Sequence, residues 1–258
     1  MVTSFLGGDR PRYQISLSTK GLLMQQLNKQ KTESRSTSPL LQVHSIFETI
    51  QGEGPFSGTP CVFIRLSGCN LMCPHCDTDY TSKREEMTPQ MVLFSVGTLR
   101  QNGLVVITGG EPFRQELSEL IGWLVQSGYY VQIETNGTIK PSDGTYNHNI
   151  QERRGVYVVV SPKTEVIQQV YSTIACAFKY VISYMNTTAD GFPKTVLGFP
   201  TRHGVARPNE NFTGLIYIQP EDNKNKALNE LNLSTAVNLC LDYGFILNLQ
   251  VHKIIGVE

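Results

Sequence analysis

The sequence predicts an α/β fold on a largely parallel sheet, with its chemistry at the carboxyl ends of the strands. Three observations predict it. Short runs rich in β-branched and aromatic residues recur from Val43 onward. Helical stretches lie between several of them, the pattern of βα units. Polar runs fall where those strands end, and parallel sheets gather functional side chains there.

The strand-like runs are VHSIFETI, VFIRL, LVVIT, YVQIE, VYVVV, FKYVI, LIYIQ and ILNLQ. Thr88 to Gln101 opens on Thr-Pro, an N-cap followed by a residue suited to the first helical turn. Glu116 to Gln126 carries Leu117, Leu120, Ile121 and Leu124 at helical spacing. Asn225 to Tyr243 repeats that pattern and meets Gly244, a natural C-cap. Residues 186–213, rich in Gly, Pro and Asn, read as an inserted loop. No internal repeat is evident.

Composition narrows the function classes. The 258 residues suffice for one sizeable core. Lys+Arg and Asp+Glu are 22 each, so the net charge is zero, which argues against broad nucleic-acid binding. No apolar run approaches the ~20 residues that span a bilayer. Residues 1–41 include the polar stretch NKQKTESRSTSP and are expected to form a flexible extension before a catalytic domain over 42–258. A transit peptide, or translation starting at Met24, are the other readings of that segment.

Six cysteines are present. Cys61, Cys176 and Cys240 stand singly in apolar surroundings and read as small buried side chains. Cys69, Cys73 and Cys76 form C-x3-C-x2-C in GCNLMCPHCDT, with no fourth cysteine at ligand spacing. An iron–sulfur cube with four protein thiolates has every iron satisfied. Three thiolates leave one iron open to chelate a small molecule. A zinc site, with His75 as a further donor, and incidental thiols are the alternatives. Clustered thiols without secretory features point to a reducing compartment, the cytoplasm.

The strand-end runs are Gly109-Gly110-Glu111-Pro112, Thr135-Asn136-Gly137, Ser161-Pro162-Lys163, Pro220-Glu221-Asp222 and, near the last strand, His252-Lys253. Each alone is compatible with an ordinary turn. Five in phase with a cysteine loop point to one rim carrying one site.

C-x3-C-x2-C after a strand, with GGEP at the next strand end, resembles the radical S-adenosylmethionine superfamily. ETIQGEGPFSGTPCVFIRLSGCNLMCPHCDT, ITGGEP, ETNGT, SPK and QVHKIIG resemble, more narrowly, the 7-carboxy-7-deazaguanine synthase family over nearly everything from Val43 to Glu258. The resemblance implies a partial, open βα barrel. It also implies a [4Fe-4S] cluster that cleaves S-adenosylmethionine to a 5′-deoxyadenosyl radical, and ring contraction of 6-carboxy-5,6,7,8-tetrahydropterin with loss of ammonia. A lyase of queuosine or other deazapurine biosynthesis, a homodimer, and an electron donor such as flavodoxin or ferredoxin are further implications. A glycyl-radical activase and a zinc-stabilised interaction domain are the competing readings.

By that resemblance Cys69, Cys73 and Cys76 are the catalytic cluster ligands. His75, Cys76, Asp77, Gly110, Ser161, Lys163, Gln219 and Asp222 border S-adenosylmethionine. Glu111 either accepts from its ammonium or braces the loop. Gln51, Glu53, Thr108, His252 and, with a planar fork that suits a carboxylate, Arg65 face the substrate. A structural salt bridge for Arg65, a core role for His252 and a surface charge for Lys163 are the alternatives. Thr78 is the implied protein ligand of Mg2+, and the terminal carboxylate of Glu258 is a further substrate contact.

Overall fold

The computed structural model describes residues 32–145 and 155–257. Among them, β1 (Leu41–Ile50), β2 (Pro60–Leu66), β3 (Glu85–Met87), α1 (Pro89–Leu99), β4 (Gly103–Gly109), α2 (Ser118–Gln126), β5 (Tyr129–Thr135), β6 (Val156–Val160), β7 (Ala175–Ile182), β8 (Leu215–Pro220), α3 (Lys226–Tyr243), β9 (Ile246–Leu247) and α4 (Val251–Ile255) follow one another. The described strands form one sheet in the order β3-β1-β2-β4-β5-β6-β7-β8-β9. Every pair from β2–β4 to β8–β9 is parallel. β1 runs antiparallel to both β2 and β3, at the edge of the otherwise parallel sheet. The edges do not close on each other, so the sheet is an open barrel.

The expected helices form, with the caps that the sequence suggests. Thr88 Oγ1 accepts from Met91 N at 3.2 Å, with Pro89 next. Asn225 Oδ1 accepts from Leu228 N at 3.1 Å, and Gly244 ends α3 at φ 72°. The strand β3 and the brevity of the last strand were not foreseen. β3 is three residues with two exposed glutamates, too short and polar to show periodicity. ILNLQ is a strand only at Ile246–Leu247. Asn248 ends it by turning inward, where it is 3% exposed and donates to Gln219 Oε1 at 2.6 Å. The chain then turns into α4.

Strand alternation decides what faces where. Ile64, Ile107, Ile133, Tyr180 and Ile218 are buried in the main core with helix residues such as Leu120, Ile121 and Ala236. Their neighbours Arg65, Thr108, Glu134, Lys179 and Gln219 line a cavity on the opposite face. Two smaller apolar clusters involve inner-face residues: Cys61, Leu104 and Val106, and Val159, Ala177 and Tyr217. Of the singly placed cysteines, Cys61 is buried while Cys176 and Cys240 are half-buried, and no cysteine is in a disulfide.

The 186–213 loop is packed rather than ornamental. Val196 and Val205 enter the core, and Leu197 O accepts from His75 N at 3.0 Å. Part of the expected extension is also engaged. Glu33 N donates to Cys69 O at 2.8 Å and Ser36 N to Arg114 O at 2.7 Å. Residues 1–31 lie outside the described residues.

Candidate active site

The cavity is about 490 Å³ and sits at the carboxyl ends of the parallel strands. Its lining includes Cys69, Cys73, His75, Cys76, Asp77 and Thr78 from the cysteine loop, Gln51 and Glu53 after β1, and Arg65 on β2. Thr108 and Gly110, Ser161 and Lys163, Gln219 and Asp222, and His252 of α4 complete the set anticipated from sequence. Glu111 is not in the lining. It is fully buried and accepts from Thr135 Oγ1 at 2.7 Å, Asn136 N at 2.8 Å and Phe113 N at 3.0 Å, so it braces the strand ends. Burial pushes its carboxyl up to about 7 against those donors. Glu258 lies outside the described residues, next to Val257 in the cavity lining.

Two glycines are fixed by close approach. A Cβ on Gly110 would lie 1.7 Å from Gly68 O, so only glycine lets the GGEP turn lie against the cysteine loop. A Cβ on Gly52 would lie 1.8 Å from His252 Nδ1, so the QGEG turn is the seat of that imidazole. Burial lowers the pKa of His252, which keeps the ring neutral at neutral pH.

The cysteine loop fits a thiolate-ligated cluster. Burial pushes the Cys69 and Cys76 thiols up to about 12 and raises Cys73, so a thiolate here needs a nearby positive charge, as bound iron supplies. Leu71 N points at Cys69 Sγ at 3.5 Å, the kind of donor that stabilises a cluster sulfur. Among the described residues no three Cys, His, Asp or Glu side chains converge on a single ion. A cube takes each thiolate on a separate iron.

Charged and amide side chains fill the rest. Glu53 is ion-paired to Lys179 and accepts from Gln250 Nε2 at 2.7 Å. Burial works against the Glu53 charge, but Lys179 outweighs it and the pKa falls. Asp77, half-exposed on the rim, is 3.2 Å from Lys253 Nζ. Desolvation would raise it, yet Lys253 and Gln250 hold it down at about 2. Lys253 also reaches Asp222 at 3.3 Å. Lys163 Nζ donates to Ser161 O at 2.7 Å and Oγ at 2.6 Å, and burial lowers its pKa. Arg65 stacks over Phe47 at 5.1 Å.

Sequence reasoning gave no role to Glu134, Lys179 and Gln250, and put Lys253 on the rim without a role of its own. Glu134 opens the ETNGT motif on the strand itself, ahead of the turn that the motif marks. Lys179 was readable as a cation within the apolar run FKYVI. Gln250 and Lys253 depended on α4, a helix too short to announce itself.

A strand-end cavity with three thiols on one loop, Cys73 buried and Cys69 and Cys76 half-buried, defines an α/β enzyme built to hold a cluster. Comparisons carry this further. No protein-family model matches the chain. It is 36% identical over 226 residues to the 7-carboxy-7-deazaguanine synthase of Rhodospirillum rubrum, covering 84% of this chain and 92% of that one. The synthase of Rickettsia prowazekii is 36% identical, covering 84% and 89%, and that of Aquifex aeolicus 32%, covering 86% and 97%. The chain belongs to the 7-carboxy-7-deazaguanine synthase family. The crystal structure of QueE from Escherichia coli shares the fold at TM-score 0.58 and 23% identity, over 90% of this chain and 99% of that one. The family implies an iron–sulfur cluster and S-adenosylmethionine. Among the described residues no helix is long and apolar enough to cross a membrane.

Proposed function

We propose that this chain converts 6-carboxy-5,6,7,8-tetrahydropterin to 7-carboxy-7-deazaguanine with release of ammonia, a lyase step of deazapurine synthesis. The observation that carries this reading is the mixed lining of one cavity: a three-thiol loop together with carboxylates, amides and a guanidinium that suit a flat, carboxylated, donor-rich ring.

Cys69, Cys73 and Cys76 hold the cluster. When bound, cluster and S-adenosylmethionine supply a 5′-deoxyadenosyl radical able to remove hydrogen from carbon. The protein's own work is placement and exclusion. His75, Asp77, Gly110, Ser161, Lys163, Gln219 and Asp222 form the cradle for S-adenosylmethionine. Lys163 is steadied by Ser161, and Gln219 by Asn248. Gln51, Glu53 and Thr108, joined by Glu134, meet the ring edge. Arg65 offers its planar fork to the substrate carboxylate. His252 donates or accepts as a neutral imidazole.

Thr78 Oγ1 lies 3.5 Å from Asp77 Oδ1, so hard oxygens stand together in the lining. Mg2+ needs one or two protein oxygens and fills its shell with substrate and water. Thr78 and a substrate carboxylate would hold it. A small reductant protein, such as flavodoxin or ferredoxin, supplies electrons, and the working unit is a homodimer.

The test is anaerobic reconstitution with iron and sulfide, then incubation with S-adenosylmethionine, reductant and the pterin. Mass spectrometry is expected to show the deazapurine, with far less than one 5′-deoxyadenosine per product. An intact cluster without deazapurine rejects the assignment. One deoxyadenosine per event on a protein partner would favour an activase.

A further inference from the structure

Two carboxylates and one ammonium meet on the inner face of the sheet. Lys179 is ion-paired to Glu53, and its Nζ lies 3.7 Å from Glu134 Oε2. The Lys179 side chain is 8% exposed, those of Glu53 and Glu134 14% and 17%. The one ammonium between these two partly buried carboxylates offsets their mutual repulsion. Their other partners are donors too: Gln250 Nε2 to Glu53 Oε1 at 2.7 Å, Gln51 and Gln132 Nε2 to Glu134 Oε1 at 3.1 and 2.9 Å, and Thr108 Oγ1 to Glu134 Oε2 at 3.4 Å. The two carboxylates and the ammonium sum to one negative charge at the cavity wall.

An acceptor pair of this kind suits a ring edge made of N–H and NH2 groups. A ring edge with a carbonyl at the same place would meet oxygen against oxygen. Were one carboxyl to take up a proton, it would become a donor and that discrimination would vanish.

We propose that Lys179 is a positioning residue that sets the ring specificity of the site. Acting through Glu53 and Glu134, it selects a 2-amino heterocycle over its 2-oxo counterpart. The inference deepens the pterin reading above and rests on it.

The test uses reconstituted holoenzyme and two stable probes, 6-carboxypterin and 6-carboxylumazine, which differ at the 2-position. Each is measured as a competitor of the pterin substrate and, independently, by direct binding. The wild type is expected to prefer 6-carboxypterin by roughly 10- to 100-fold, the worth of a charge-assisted hydrogen bond. In Lys179→Met the preference falls to about unity, whereas Lys179→Arg keeps most of it. A merely structural lysine would weaken both probes alike, and an unmoved ratio overturns the proposal. Wild-type protein that binds the two probes equally, or neither, overturns it as well. Should Lys179→Met fail to fold, Lys179→Gln is measured instead, with the same loss of preference expected; an unmoved ratio there also refutes it. Absence of deazapurine product from the wild type would instead reject the assigned reaction, and the direct binding ratio is read separately from it.

Discussion

Glu111 shows how one buried residue links the site to stability. Its carboxyl is raised by burial to about 7, while an unfolded glutamate titrates near 4.5. Between those values the folded state holds a proton that the unfolded chain has lost. Stability from this group is therefore full below pH 4.5 and lost as pH rises through 7. Thermal unfolding of the cluster-free protein should show this loss, and Glu111→Gln should flatten the profile over the same window. An identical slope in both proteins would contradict the assignment. Legibility at this scale was uneven. Cys69, Gly110 and Lys163 could be read because their motifs announce them. The cation Lys179 stands out in FKYVI but its role could not be read, because that depends on which two carboxylates other segments bring to it.

Among the elements, the segment at residues 32–38 is the least expected. It runs along the cysteine loop, with Thr32 bridging to Cys69. Arg114, 3% exposed, joins the two: it lies 3.3 Å from Glu33 Oε2, donates to Ser34 O at 3.0 Å and to Ser67 O at 3.1 Å. Breaking such a buried charge network by removing one partner costs about 3 kcal/mol or more. Arg114→Met should lower stability by that order and shed iron faster after reconstitution, measured by denaturant titration and iron analysis. Arg84→Met, which removes a half-exposed partner of the same Glu33, should cost about 1 kcal/mol or less. Polar composition alone hid this segment, since nothing in NKQKTESRSTSP reveals that a buried arginine waits for its carbonyls. The helices α1 to α3 were legible for the opposite reason: their caps and apolar spacing are local.

For the whole molecule, the division of the sheet into two faces is the organising fact. Ile107 and Thr108 are chain neighbours, yet one is sealed in the core and the other lines the cavity. Ile107→Ala should cost about 2–5 kcal/mol by denaturant titration, with the surviving folded fraction still binding its cluster. Phe94→Ala, on a residue 74% exposed, should stay within about 0.5 kcal/mol. The parallel order of β2 to β9 followed from alternating strands and helices. The antiparallel β1, the brevity of β9 and the presence of α4 did not, because tertiary contacts of Gln219, Gly52 and Glu53 decide them.

One consequence concerns how such a molecule is made. Gly54 N donates to Asn248 Oδ1 at 2.7 Å, and Val251 N to Gly52 O at 3.1 Å. Segments 194 residues apart in sequence thus meet beside the cavity. During translation the thiol-bearing loop emerges well before Asn248 and Val251, so these closing bonds form late. A nascent chain stalled in between would expose its three sulfurs to any passing oxidant or stray metal, so the hazard of mis-metallation is greatest before release from the ribosome.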